Sequence, residues 1–225
     1  MIITRHLMIY ELLEDTIEFP DPRTGDSDGL FAVGGDLSSD RLLLAYSLGI
    51  FPWFSFRDSD EPLWYCPMDR FVIFPGEIHI SHSMRNMINK GIYTVTFNKD
   101  FQSVIDGCSS SRIDLEGAWL GQDMIEAYTR LHDLGFAFSV EVWKGKGLVG
   151  GLYGVAVGNA FCGESMFSKE PGASKLALIY LAKKMQENRG GIIDCQFETP
   201  HLKSMGGRYI SYDEYMSILR RPSFV

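Results

Sequence analysis

Long apolar runs are absent from this 225-residue chain: nothing approaches the ~20 consecutive apolar residues that span a bilayer. The stretch Met1 to Tyr10 breaks its apolar residues with Arg5 and His6 and carries no small-residue cleavage signal. A cytosolic protein without membrane contact is expected. Cysteine is equally scarce. Cys66, Cys108, Cys162 and Cys195 lie far apart and form no C-x-x-C pair, which removes a secreted disulfide framework and a zinc site of the usual spacing. Basic charge is in deficit too, and a net charge of -8 argues against coating a nucleic acid wholesale, because phosphate binding is driven by clustered Lys and Arg. Metal and nucleotide motifs are missing as well. His79 and His82 have no third ligand nearby, and the glycines from Gly145 to Gly151 lack the strand-to-helix setting of a phosphate loop. No metal and no cofactor are expected.

The charge that is present is uneven. The first 75 residues hold 13 acidic and 5 basic side chains, which accounts for the whole excess, and the remainder carries 16 of each. Lys183, Lys184, Arg189, Arg220 and Arg221 therefore offer local positive charge in the neutral part, either for RNA docking or as solvated helix ends. A hydrophobic content of 45% suffices for one large domain, alone or with a smaller attachment.

Texture changes near Pro75. Residues 1–75 read as a small N-terminal α+β lobe, with turn-rich segments around one helix that Ser38 or Ser39 caps and Gly49 ends. Residues 76–225 are regular. The pattern predicts a helix from Ser81 to Lys90, a strand from Tyr93 to Phe97, and helices over Lys99 to Cys108 and Gln122 to Leu134. A three-stranded antiparallel meander follows, Phe136–Trp143, Leu148–Val157 and Ala160–Phe167, with turns at Gly145-Lys146-Gly147 and Gly158-Asn159. A long helix from Ala173 to Asn188, a strand Ile192–Gln196, a helix near Pro200 to Met205 and a final helix from Ser211 complete the chain. This order resembles the α+β acyltransferase fold of GCN5-related N-acetyltransferases (GNAT), a mixed central sheet flanked by helices, and a fold alone does not name a reaction.

Four strings narrow the reading: Gly34-Gly35-Asp36-Leu37, Gly49-Ile50-Phe51-Pro52-Trp53-Phe54, Cys162-Gly163-Glu164-Ser165-Met166-Phe167-Ser168 and Asp194-Cys195-Gln196. Each recurs by chance on its own. Together, in this order and spacing, they resemble the leucyl/phenylalanyl-tRNA-protein transferase family from about Phe19 to the last helix. The resemblance implies transfer of leucine or phenylalanine, with methionine as a third option, from aminoacyl-tRNA to the N-terminal amine of proteins that begin with Arg or Lys, marking them for N-degron degradation. The family often has a longer tail beyond its last helix.

Asp194 and Gln196, two apart on an expected strand, present a carboxylate and an amide on one face. By resemblance Asp194 orients Gln196, whose carbonyl accepts a hydrogen bond from the attacking amine; Asp194 acting as the base is the alternative. Glu164 is expected to help hold the amine or the terminal adenosine, with Gly163 allowing close approach of the nucleotide. The rings of Trp53, Trp119 and Tyr46 are candidates for stacking the tRNA 3′-adenosine. Leu152, Phe161, Leu178 and Leu181 resemble an apolar pocket for the aminoacyl side chain, with leucines at 152 and 181 where the family pattern suggests Met and Phe. Two other readings compete: an N-acetyltransferase using acetyl-CoA, against which Lys169 to Lys175 makes a poor pyrophosphate loop, and a noncatalytic adaptor for N-terminal residues. A monomer is expected, since no apolar stripe stands out.

Overall fold

Two sheets divide the chain. The computed structural model describes residues 9–26, 28–53, 61–110 and 121–224. The smaller sheet holds β1 (Tyr10–Leu12), β2 (Leu30–Gly34), β3 (Phe51–Trp53) and β4 (Leu63–Tyr65) in the order β1-β2-β4-β3. Between β2 and β3 runs α1 (Ser39–Ser47), whose first turn is capped by the Ser38 hydroxyl accepting from the Arg41 N–H. Gly49 then turns the chain at φ 76°, and a Cβ there would lie 3.0 Å from the Tyr215 ring, so only glycine fits both the torsion and the space.

The string at Gly34 is part of a clamp. Gly34 and Gly35 both have positive φ, and a Cβ on Gly35 would meet the Arg41 guanidinium at 3.0 Å. Arg41, fully buried, donates to Asp36 Oδ1 at 2.7 Å and to the carbonyls of Leu13 and Thr16 at 2.7 and 3.1 Å. These bonds pin the segment after β1 against α1.

The larger sheet has seven strands, and its order β11-β5-β10-β9-β8-β7-β6 mixes directions. In chain order its elements and their helices are β5 (Asp69–Ile73), α2 (His82–Lys90), β6 (Thr94–Phe97), α3 (Phe101–Ser110), α4 (Gln122–Asp133), β7 (Ala137–Lys144), β8 (Gly147–Val157), β9 (Ala160–Ser168), α5 (Ala173–Glu187), β10 (Ile192–Asp194), α6 (Pro200–Ser204), β11 (Arg208–Ser211) and α7 (Tyr212–Leu219). One face is covered by α5 and α2, the other by α1, α3, α4 and α7. The α+β, GNAT-like architecture is the one expected, and the meander and the long α5 stand where the sequence pattern put them. Among the described residues, no helix is long and apolar enough to cross a membrane.

Three details differ from the sequence reading. β5 pairs antiparallel with β10 and β11, so a strand that precedes residue 75 belongs to the large sheet. β11 itself was not expected, because four residues at a sheet edge are too few to show alternation. The strand expected from Ile192 to Gln196 ends at Asp194. That early end matters for function: β10 runs parallel to β9 only as far as the Asp194–Cys162 pair, whereas β9 continues to Ser168. From Gly163 onward β9 loses its neighbour on that side, and a cleft opens between the two strands.

Candidate active site

The cleft has a volume of about 160 Å³. Its apolar end is built by Leu152 on β8, Phe161 and Met166 on β9, Leu178 and Leu181 on α5, and Ile193 on β10. Five of these six side chains are at most 5% exposed, so the end is a walled slot for an apolar group. All four apolar residues singled out from the sequence line it.

β9 is bulged where it borders the cleft. Gly154 pairs with Gly163 while Tyr153 pairs with Ser165, which leaves Glu164 without an opposite number. Residues 163 to 166 all line the cleft in consequence, which strict alternation would forbid. A Cβ on Gly163 would find only the Asp194 carbonyl at 3.5 Å, an ordinary contact. The protein leaves room at this glycine, in contrast to Gly154, where a Cβ would lie 2.2 Å from the Cys162 carbonyl oxygen.

Glu164 is turned toward two buried tyrosines. Tyr46 and Tyr128 donate to its two carboxylate oxygens, each at 2.8 Å, and the two hydroxyls are 2.6 Å apart. Burial pushes the Glu164 carboxyl up to about 7, against the opposing pull of the tyrosine hydroxyls. The triangle favours the same outcome, since an ionised carboxylate leaves two hydroxyl protons for three contacts and a protonated one supplies the third. Tyr46 is 1% exposed and does not line the cleft, so its ring is not presented for stacking; its hydroxyl serves Glu164 instead. Sequence reading missed Tyr128, which lies 36 residues from Glu164 and reads as an ordinary helix core position.

Asp194 is fully buried at the end of β10 and surrounded by donors. Arg70 Nε reaches both carboxylate oxygens at 3.0 and 3.1 Å, the Tyr215 hydroxyl donates at 3.0 Å, and the Gln196 backbone N–H donates at 2.9 Å. The Arg70 guanidinium lies between the rings of Phe51 and Tyr215, at 4.8 and 4.7 Å, and donates to the Gly49 carbonyl at 2.7 Å. Burial alone would lower its pKa; the Asp194 carboxylate beside it raises it instead. Each of these contacts to the carboxylate comes from a protein donor. Its partner Arg70, 124 residues away, gave no signal in the sequence.

Gln196 follows in a left-handed backbone conformation, φ 58°, uncommon for a residue with a side chain. Two bonds hold it there: the N–H to Asp194 and its carbonyl accepting from the Phe71 N–H at 3.3 Å. The expected arrangement, with 194 and 196 on one strand face, is therefore replaced by a sharp turn that Asp194 fixes through the backbone. Gln196 is 9% exposed, lines the cleft, and its side-chain amide bonds no described residue. Cys195 also lines the cleft, but burial and Asp194 hold its thiol well above the usual range, so it is not a nucleophile.

At the mouth stands Trp53, 37% exposed, with its ring 5.7 Å from Phe197 and 6.4 Å from Tyr65 in edge-to-face contacts. Trp119 and Phe54 lie outside the described residues. Among those described, no group of three His, Cys, Asp or Glu side chains is placed to hold a metal.

Comparison with known proteins identifies relatives of this chain. A family model described as leucyl/phenylalanyl-tRNA protein transferase matches residues 72–220, and one described as the N-terminal domain of that transferase matches residues 35–68. The leucyl/phenylalanyl-tRNA–protein transferase of Flavobacterium psychrophilum is 49% identical over 93% of this chain and 99% of its own length. That of Syntrophus aciditrophicus is 48% identical over 93% of this chain and 87% of its own. Among solved structures, L-PGS from Bacillus licheniformis has 13% identity and a TM-score of 0.43, over 73% of this chain and 51% of that one. On the breadth and identity of these sequence matches, the chain belongs to the leucyl/phenylalanyl-tRNA protein transferase family and is an aminoacyltransferase.

Proposed function

We propose that this enzyme transfers leucine or phenylalanine, and methionine as a further donor, from aminoacyl-tRNA to the N-terminal α-amine of proteins beginning with Arg or Lys. The product enters N-degron degradation in the cytoplasm. The aminoacyl side chain occupies the slot formed by Leu152, Phe161, Leu178 and Leu181, and the terminal adenosine lies toward Trp53, Gly163 and Glu164. An apolar slot separates side chains that differ by a methylene by only ~1 to 3 kcal/mol, which accords with several accepted donors.

In the reaction the acceptor nitrogen attacks the ester carbonyl, the new C–N bond forms, the C–O3′ bond breaks, and the ammonium proton passes to the 3′-oxygen. An α-amine has a pKa of about 7.7 to 8.0, so roughly a tenth is neutral at pH 7, a deficit of only ~1 kcal/mol. Correct placement of two reactants supplies roughly 7 to 11 kcal/mol. Positioning is therefore the larger contribution. Gln196 performs it by accepting a hydrogen bond from the attacking amine, while Asp194, held by Arg70 and Tyr215, orients Gln196 through the backbone N–H. The ionised Glu164 carboxylate accepts from an amino group of a substrate, the adenine or the acceptor. The acidic first third of the chain suits a cationic acceptor terminus.

One observation carries this reading: a nine-tenths-buried Gln196 amide, bonded to no described residue, borders a cleft whose other end is apolar. The test mixes leucyl-tRNA, the enzyme and a peptide beginning with Arg, and follows peptide mass. A gain of one leucyl residue is expected, with no gain for an N-acetylated peptide. An unchanged mass favours an adaptor, and an acetyl gain with acetyl-CoA favours an N-acetyltransferase; either result sinks the reading.

A further inference from the structure

The chemistry above places the acceptor's α-amine at Gln196 and leaves the side chain of its first residue without a specific partner. The walls of the cleft divide the substrates. β8, β9 and α5 build most of the apolar slot for the donor, so the acceptor lies along the other wall, which runs from Gln196 through Phe197 and Thr199 to Leu202. Between Gln196 and Ser204 that wall holds a single carboxylate, Glu198.

Glu198 stands between two residues that line the cleft, and local geometry keeps it at the rim. The Thr199 side-chain oxygen caps α6 by accepting from the Leu202 N–H at 3.2 Å, and the Thr199 carbonyl accepts from the Lys203 N–H at 2.9 Å. Positions 199, 202 and 203 therefore share a helix face, and the first two of them line the cleft. Lys203 holds its ammonium 2.8 Å from the Glu198 carboxylate, which sets the pair beside the same opening. The side chain of Lys203 is 66% exposed and that of Glu198 31%. An ion pair so open to water contributes little to stability, and a cation arriving from outside replaces Lys203 with small loss. The distance suits such an exchange. Two residues apart, the Cα atoms of Gln196 and Glu198 are separated by at most ~7.6 Å, comparable to the reach of an arginine or lysine side chain from its own Cα.

We propose that Glu198 is the residue that selects the acceptor: its carboxylate takes the guanidinium or ammonium of the acceptor's first residue in place of Lys203. This assignment rests on the transferase reading given above. It assigns the choice of a cationic terminus to one exchangeable ion pair at the cleft rim.

The experiment measures kcat/KM for leucyl transfer from leucyl-tRNA to two peptides that differ only in their first residue, arginine or citrulline, whose neutral urea group keeps the size and removes the charge. Wild type, Glu198→Gln and Lys203→Met are compared, with thermal melting of each, which should agree closely because the pair is exposed. Wild type should prefer the Arg peptide by about tenfold, the lower range for a hydrogen bond to a charged group. Glu198→Gln should lose that preference through a higher KM for the Arg peptide. Lys203→Met should raise the preference about threefold, because the competing ammonium is gone. A wild-type ratio in Glu198→Gln overturns the proposal, as does an equal loss on both peptides, which makes Glu198 a support of the rim. A ratio in Lys203→Met no higher than that of wild type overturns it too. Wild type that gives leucine to both peptides equally overturns the proposal and leaves the transferase reading standing; wild type that gives leucine to neither overturns both.

Discussion

Two Arg–Asp pairs, one buried on both sides and one whose carboxylate is 37% exposed, serve this fold in different ways. Arg41 and Asp36 close a turn in the smaller sheet, where the guanidinium also gathers carbonyls of residues 13 and 16. Arg70 and Asp194 close a turn in the larger sheet, and the residue they fix, Gln196, directs an unused amide at a cleft. Both aspartates lie in strings that mark the family. The strings look alike in sequence; they part company in whether a polar group is left over where a substrate can reach it.

Breaking the buried Arg70–Asp194 pair is the harshest test. Arg70→Met strands the Asp194 carboxylate in the core, and loss of one partner of a buried pair costs ~3 to 5 kcal/mol, read from urea unfolding. Adding Asp194→Asn should return most of that stability. Asp194→Ala carries the same kind of penalty by stranding Arg70, so a loss of rate in that variant alone does not report on chemistry. Arg41→Met leaves only a partly exposed Asp36 carboxylate, so it should lose less stability and keep the transfer rate of its folded fraction, whereas Arg70→Met should lose both. If the folded fractions of the two variants transfer equally well, the distinction between the pairs fails.

Gln196→Ala comes next. It removes an amide that bonds no described residue, so melting should hold while kcat falls by roughly 10²-fold.

How far the sequence alone reaches follows the same division. The meander, the long α5 and the Ser38 cap are local patterns, written in alternation, helical spacing and cap chemistry, and were legible. The apolar slot was legible through the family resemblance. Arg70 was not, because its partner lies 124 residues away and the segment around it is short and turn-rich. Nor was the left-handed turn at Gln196, since a glutamine gives no local sign of positive φ. Tyr46 was read as a candidate for stacking the 3′-adenosine and proves to be a buried hydroxyl donor, because one aromatic on an amphipathic helix reads the same in both roles.

A milder test uses pH. The Glu164 carboxyl, held near 7 against an ordinary 4.5, should put a rising limb near pH 7 on the transfer rate as it ionises. Glu164→Gln should remove that limb and keep the one near 8 that belongs to the acceptor amine. The linkage runs in the matching direction. Between pH 4.5 and 7 the folded state holds a proton that the unfolded state has released, so stability falls as pH rises through that window, and Glu164→Gln should flatten the fall in Tm. Persistence of the lower limb in Glu164→Gln assigns it to another group.

The smallest effect concerns donor choice. Leu181→Ala widens the slot that α5 borders, and should favour phenylalanine over leucine by about tenfold in kcat/KM, checked by competition between the two charged tRNAs. An unchanged ratio places the side chain elsewhere.

The most direct test is a crystal structure with a nonhydrolysable bisubstrate analogue in which a tetrahedral phosphorus replaces the leucyl ester carbonyl carbon and joins the adenosine 3′-oxygen to the nitrogen of an arginyl acceptor mimic. The leucyl side chain should lie between Leu152, Leu178 and Leu181, with the Gln196 side-chain oxygen within ~3.2 Å of the acceptor nitrogen. A ligand seated outside this cleft, or a Gln196 amide turned away from it, contradicts the account.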